Sequence, residues 1–315
     1  DLLHCLLLLQ FLFFINTKIK LLPMKLTIKG LTKTYPNGVQ ALKNINLEIK
    51  NGLFGLLGPN GAGKSSLMRT IATLQNADSG NIFLDDLNVL EDKEEVKKIL
   101  GYLPQEFGVY PNISAQELLN HLALLKGVHL KKEREEVVKS LLMQTNLYEV
   151  RNKNLGGFSG GMKQRFGIAQ ALIGNPKIII ADEPTAGLDP TERNRFLNLL
   201  SEISEQVIVI LSTHIVEDVK ELCSQMAIIN KGEVMFSGHP AEAIKRVQGK
   251  IWTCQVDKPT ARELMTKHNV ISQKFNTGLI ELHVWSEEPL NHHFAIAQPV
   301  LEDVYFSVLN GNLNP

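Results

Sequence analysis

Apolar and polar positions change period along the chain, and the changes mark out its elements. Residues 25–57 carry three short β-like runs, KLTIKG, ALKNINLEI and GLFGLLG. Turn signals at Pro36-Asn37-Gly38 and Asn51-Gly52 separate them, which predicts antiparallel strands. A helix is expected at about 64–74, followed by strands near 81–84 and 100–103. Over 114–145 the period becomes helical: AQELLNHLALLKG and KEREEVVKSLLMQ space their apolar residues for one face, with charges between. This stretch reads as a helical insertion. The runs KIIIADE and VIVILSTH are apolar throughout, as buried parallel strands are, and helical patterns follow at about 190–204 and 216–224. Such alternation predicts an α/β sheet with helices on both faces. A strand pair, MAIINKGEVMFSG, turns at Lys231-Gly232, and a short helix after Pro240 leads into a mixed tail from about 250. No internal repeat is visible.

The first 23 residues stand apart. DLLHCLLLLQFLFFIN is nearly all apolar, interrupted by His4, Cys5 and Gln10. The run is shorter than the ~18–20 residues a bilayer span needs. It also lacks the basic flank and small-residue cleavage site of a signal peptide. Met24 opens a conventional start, MKLTIKGLTKTY. Residues 1–23 are therefore expected to be an apolar extension outside the native fold, with a membrane anchor as the alternative.

Composition narrows the function classes. Lys plus Arg equals Asp plus Glu, 33 each, so no global basic field favours nucleic acid. Cys5, Cys223 and Cys254 are odd in number and lie far apart without metal-ligand spacing, as buried thiols in a reducing compartment would.

The chemistry is concentrated in a few segments. GPNGAGKSS, from Gly58 to Ser66, fits G-x-x-x-x-G-K-[ST], follows an apolar strand and opens a helix. Such a loop wraps phosphates with backbone N–H groups, aided by the helix N-terminus. Gly58, Asn60, Gly61, Ala62, Gly63 and Ser66 are its expected binding positions, Lys64 the reach to the β- and γ-phosphates, and Ser65 a Mg²⁺ ligand. IIIADEP ends a buried strand in two carboxylates at the carboxyl edge of the sheet. Asp182 is expected in the Mg²⁺ shell and Glu183 as the general base that polarises water. GGFSGGMKQRF is a second phosphate-binding pattern, Ser159-Gly160-Gly161, opening a helix over about 160–173.

Phosphate loop, DE strand, SGG loop and strand-end histidine, in this order, resemble the ATP-binding subunit of an ABC transporter over residues 25 to about 240. The resemblance implies a P-loop NTPase core sheet with an antiparallel β subdomain and a helical subdomain at about 106–175. A small C-terminal α/β extension, 241–315, would be accessory or regulatory. It further implies that Tyr35 stacks on adenine and that Gln105 contacts Mg²⁺ and the attacking water. His214 would clamp the γ-phosphate, and Asp189 would communicate across a dimer, besides capping its helix. Ser159, Gly160 and Gly161 would bind ATP held by a second ATPase subunit, so that two chains sandwich two ATPs. A separate transmembrane permease would receive the energy, with the chain on the cytoplasmic face of the membrane. The face around Gln105 and FGVYPNIS would dock it.

The sequence departs from the commonest pattern at Phe158, where Leu is usual, and at Met162, where Gln is usual. Backbone and Ser159 contacts to phosphate survive that change; a glutamine contact does not. The QEFGVYP segment, FSGGM and the tail QPVLEDVYFSVLNG are similar to exporter ATPases with a separately encoded permease. The rival reading is a soluble ABC-type ATPase of DNA repair or translation. Repair members insert a long coiled coil between the two loops, and no sustained heptads occur there. Translation members usually carry two modules, and this chain carries one.

Overall fold

The computed structural model describes residues 24–105, 108 and 110–313. The apolar run within 1–23 lies outside them, as do residues 106, 107 and 109 of the expected docking segment.

Strands β1 (Lys25–Thr34) and β2 (Gln40–Lys50) pair antiparallel, Lys25 opposite Lys50, and bury alternate residues such as Leu26, Ile28, Ile45 and Ile49. With β4 (Ser79–Leu84) and β5 (Leu87–Asn88) they form a four-stranded sheet, order β2-β1-β4-β5. The run GLFGLL, expected to continue this antiparallel set, does not. As β3 (Gly52–Leu57) it pairs parallel to β8 (Ile208–Thr213) and β9 (Gln225–Asn230) in a second sheet. The physical reason is in its pattern: from Leu53 onward every residue is buried, which suits a strand covered on both faces.

That second sheet has the order β10-β9-β3-β8-β7-β6, with β6 (Leu100–Leu103), β7 (Ile178–Asp182) and an antiparallel edge strand β10 (Glu233–Gly238). Its side chains divide by parity, as the pleat requires. Phe54, Ile180, Ile208 and Ile210 face the first sheet and helix α1 (Lys64–Ile71). Leu53, Leu57, Ile179, Val209 and Leu211 face the other way, onto Phe196, Leu200 and Ile203 of α6 (Pro190–Ser204). The sheet is thus filled on both sides, and its carboxyl edge is where the loops of interest emerge.

Between β6 and β7 lies the helical subdomain, α3 (Ala115–Leu125), α4 (Lys131–Gln144) and α5 (Gly160–Ala171), packed around Leu119, Leu142, Phe158 and Phe166. A capping box, Ser114 with Glu117, starts α3. A short helix α2 (Lys93–Ile99), unannounced by periodicity, docks through Val96.

Beyond α7 (Val216–Leu222) and α8 (Pro240–Arg246), strands β11 (Ile251–Val256), β12 (Val270–Asn276), β13 (Leu279–Trp285) and β14 (Ala295–Ile296) form a third sheet, order β12-β13-β11-β14. Helix α9 (Lys258–Lys267) covers it, around Cys254, Leu282, Val284 and Phe294. Helix α10 (Leu301–Leu309) then turns back: Leu301, Val304, Tyr305 and Val308 join the core cluster of Val219, Phe236 and Ala243. Among the described residues no helix is long and apolar enough to cross a membrane.

Candidate functional site

The loop between β3 and α1 is shaped by glycine at a place no other residue tolerates. Gly63 has φ +111°, and a Cβ there would meet the Ala41 carbonyl oxygen at 2.4 Å. Lys64 follows, 4% exposed. Its Nζ donates to the carbonyls of Gly58 (2.7 Å) and Pro59 (3.2 Å) and lies 3.4 Å from Glu183 Oε1. A buried ammonium needs such acceptors, and all three oxygens are ones that a phosphate could replace. Above it opens a cavity of about 420 Å³ lined by Tyr35, Asn60, Gly61, Gly63, Lys64, Ser65, Ser66, Gln105 and Glu183, with Val39, Ala41 and Pro59. Gly58 and Ala62 form the buried back of the loop, with Ala62 N–H donating to the Pro59 carbonyl.

The carboxylates arrive from the neighbouring strands. Asp182 ends β7, 3% exposed, and Oδ1 accepts from Ser212 Oγ at 2.8 Å. Glu183 takes the left-handed region, φ +46°, a conformation uncommon for a non-glycine residue and concentrated at functional sites. Its N–H donates to the Ser212 carbonyl at 3.1 Å, fixing the turn. The side chain reaches Lys64 with one oxygen and His214 Nδ1 with the other, at 3.3 Å. His214 is half exposed, so one face remains open to an incoming group. Gln105 is exposed at the end of β6's following turn. Tyr35 is half-buried at the cavity mouth, its hydroxyl 3.0 Å from both Ser66 Oγ and Gln75 Oε1.

The SGG segment is not among the residues lining that cavity. Ser159 caps α5, its Oγ accepting from Met162 N–H at 3.2 Å, and Ser159 and Gly160 are exposed. Gly161 is buried beside Glu192, where a Cβ would come within 2.2 Å of Oε2. Met162 turns inward and packs against the helical-subdomain core around Phe158 and Phe166. Asp189 caps α6, accepting from Glu192 N–H at 2.9 Å. Glu192 in turn holds Arg165 of α5, which links the Asp189 turn to the SGG helix.

Sequence reading missed the supports of this site. Asp218, buried in α7, accepts from Arg193, from Thr185 (3.3 Å) and from Thr213 (3.4 Å). It thereby ties the turn after Glu183 to the residue before His214. Burial and the Asp218 charge push the neighbouring Cys223 thiol up to about 12, so that cysteine is an inert core group. Gln75, between elements, and Ser212, inside β8, were equally silent, since polar residues ordinarily face water.

Comparison with known proteins points to one family. The ABC transporter family model matches residues 42–186. The ATP-binding protein YxlF of Bacillus subtilis, an ABC transporter protein, is 37% identical over 232 residues, covering 73% of this chain and 76% of its own. The linearmycin resistance ATP-binding protein LnrL of the same organism is 36% identical over 213 residues, 66% of this chain and 67% of that one. Among solved structures, the dimeric post-hydrolysis state of the ATP-binding cassette MJ0796, bound to ADP and Pi, superposes with a TM-score of 0.62 at 29% identity, covering 68% of this chain and 98% of that one. With its P-loop core sheet and the residues gathered at its carboxyl edge, this chain belongs to the ABC transporter family as an ATP-binding, ATP-hydrolysing subunit.

Proposed function

We propose that this subunit works as a dimer with ATP at two shared sites and drives a separate permease, as an exporter. The observation that carries the reading is the meeting of Lys64, Glu183 and His214 at the edge of one cavity. ATP phosphates would take over the ammonium of Lys64, while Tyr35 meets the base. Glu183, relieved of Lys64, would accept a proton from the water that attacks the γ-phosphorus, releasing ADP and phosphate. His214 would hold the γ-phosphate against its open face.

The oxygen donors also suit Mg²⁺, a hard cation bound by few protein ligands plus phosphate. Asp182 keeps Oδ2 free of the Ser212 bond, and Ser65 and Gln105 both line the cavity. Bound there, the ion would neutralise charge on the phosphates.

Because Ser159 and Gly160 are exposed outside the cavity, their phosphate-binding pattern would be used on a second chain's ATP. LnrL's name records linearmycin resistance, which together with the FSGGM and QEFGVYP segments supports export. Besides the face around Gln105 expected to dock the permease, a groove of about 840 Å³ separates the core from the helical subdomain. It presents exposed Leu74 and Leu125 with Tyr102 and Leu122 between rims of Lys97, Lys98 and Lys126. The chain would then sit on the membrane's cytoplasmic face through that partner.

The test is Glu183→Gln. ATP binding should persist, turnover should fall by about 10²–10⁴-fold, and an ATP-dependent dimer should accumulate on size exclusion with light scattering. Turnover at the wild-type rate would remove Glu183 as the base.

A further inference from the structure

Around Tyr35 the hydrogen bonds form a closed ring, and donor counting fixes its direction. Gln75 Nε2 lies 2.8 Å from the Ser66 carbonyl and 2.8 Å from Thr70 Oγ1. A carbonyl only accepts, so the amide nitrogen must be the group facing it, and Oε1 must face Tyr35. The Tyr35 hydroxyl therefore donates its single proton to Gln75 Oε1, at 3.0 Å. Tyr35 Oη, with its proton committed, can only accept from Ser66 Oγ, also at 3.0 Å. Thr70 closes the circle by donating to the Ser66 carbonyl at 2.8 Å. Thr70 is fully buried and Gln75 half-buried, so water competes weakly for these groups.

Two consequences follow. The Tyr35 ring at the mouth of the cavity is held by a residue beyond the end of α1 rather than by its own loop. The Ser66 hydroxyl proton points to Tyr35. We propose that Gln75 is a positioning residue that presets the Tyr35 ring for the nucleotide base. The proposal rests on the nucleotide reading given above. Preorganising a stacking surface lowers the ordering cost of binding, so its loss weakens only ligands that carry a base.

Gln75→Leu keeps the volume and removes both ends of the bond. Its KM for ATP should rise about three- to tenfold, the size of one net hydrogen bond, with kcat at saturating ATP within about twofold. Inhibition by inorganic tripolyphosphate, which has no base, should stay unchanged. Tyr35→Phe opens the ring from the other side and should give a similar rise, and the double variant should be no worse than either single. Gln75→Glu keeps an acceptor for Tyr35 but sets an oxygen against the Ser66 carbonyl, so it should not rescue. Equal weakening of ATP and tripolyphosphate, multiplicative single effects, or full activity in Gln75→Glu would overturn the proposal. Failure of the wild type to bind ATP, or of Lys64→Ala to abolish binding, would instead overturn the nucleotide reading itself.

Discussion

Glu192 commits both carboxylate oxygens to arginines, Oε2 to Arg165 and Oε1 to Arg195 at 2.8 Å. Gly161 leaves the space that lets it do so, since a methyl there would lie 2.8 Å from Glu192 Cγ as well. Gly161→Ala should therefore displace Glu192 from Arg165 and cost about 1–3 kcal/mol of stability, read as a lower urea midpoint at unchanged m-value. An unchanged midpoint would show that the carboxylate can step aside. At this scale Lys64, Ser65, Asp182 and Glu183 were legible because each sits in a short segment whose spacing encodes its geometry. Gln75, Glu192 and Asp218 were not, because their partners lie on other elements and polar letters carry no mark of burial. Met162 is a mixed case: the missing glutamine was visible, while its packing on Phe158 and Phe166 required the fold.

Among the elements, the hold of α10 on the third sheet is polar as well as apolar. His283 Nδ1 of β13 lies 2.6 Å from Asp303 Oδ1 of α10, and Nε2 lies 3.2 Å from Glu281. Asp303 also accepts from Val300 N–H at 2.9 Å, capping its own helix, while Lys274 of β12 pairs with Glu302 at 2.6 Å. The hydrogen bond to Asp303 raises the His283 pKa, against burial, with Glu281 adding to it. The folded state thus holds the proton more tightly than the unfolded one. The stabilisation is complete below the ordinary histidine value of about 6.5 and is lost as pH rises through the raised value. The melting temperature should fall across that window, and His283→Gln should flatten the dependence. A wild-type curve parallel to the variant's would remove the clamp. The strands of this sheet escaped the sequence reading because β12 is largely exposed and its period is weak, whereas β7 and β8 announced themselves by uninterrupted burial. GLFGLL shows the converse error: its strand character was plain, but pairing direction depends on β8 and β9, both far along the chain.

For the whole molecule, the separation of Ser159 from the Lys64 cavity makes a complementation experiment decisive. Lys64→Ala and Ser159→Arg should each abolish ATPase activity alone. Mixed, they should regain it, because one shared site then joins an intact Lys64 from one chain to an intact Ser159 from the other. No recovery on mixing, with both variants folded, would deny the shared site. A second chain was suggested by the sequence only through the surplus phosphate pattern; that the loop lies outside the lining of its own cavity needed the structure.

The return of α10 to the face formed by Val219, Phe236 and Ala243 also bears on how the protein is made. On the ribosome, at roughly 5–20 residues per second, every motif for ATP chemistry emerges well before Val308. Until Leu301, Val304, Tyr305 and Val308 arrive, that face has no cover, and the nascent ATPase exposes a sticky apolar surface. Synthesis of this subunit therefore has an interval in which that apolar face is open to non-native contacts.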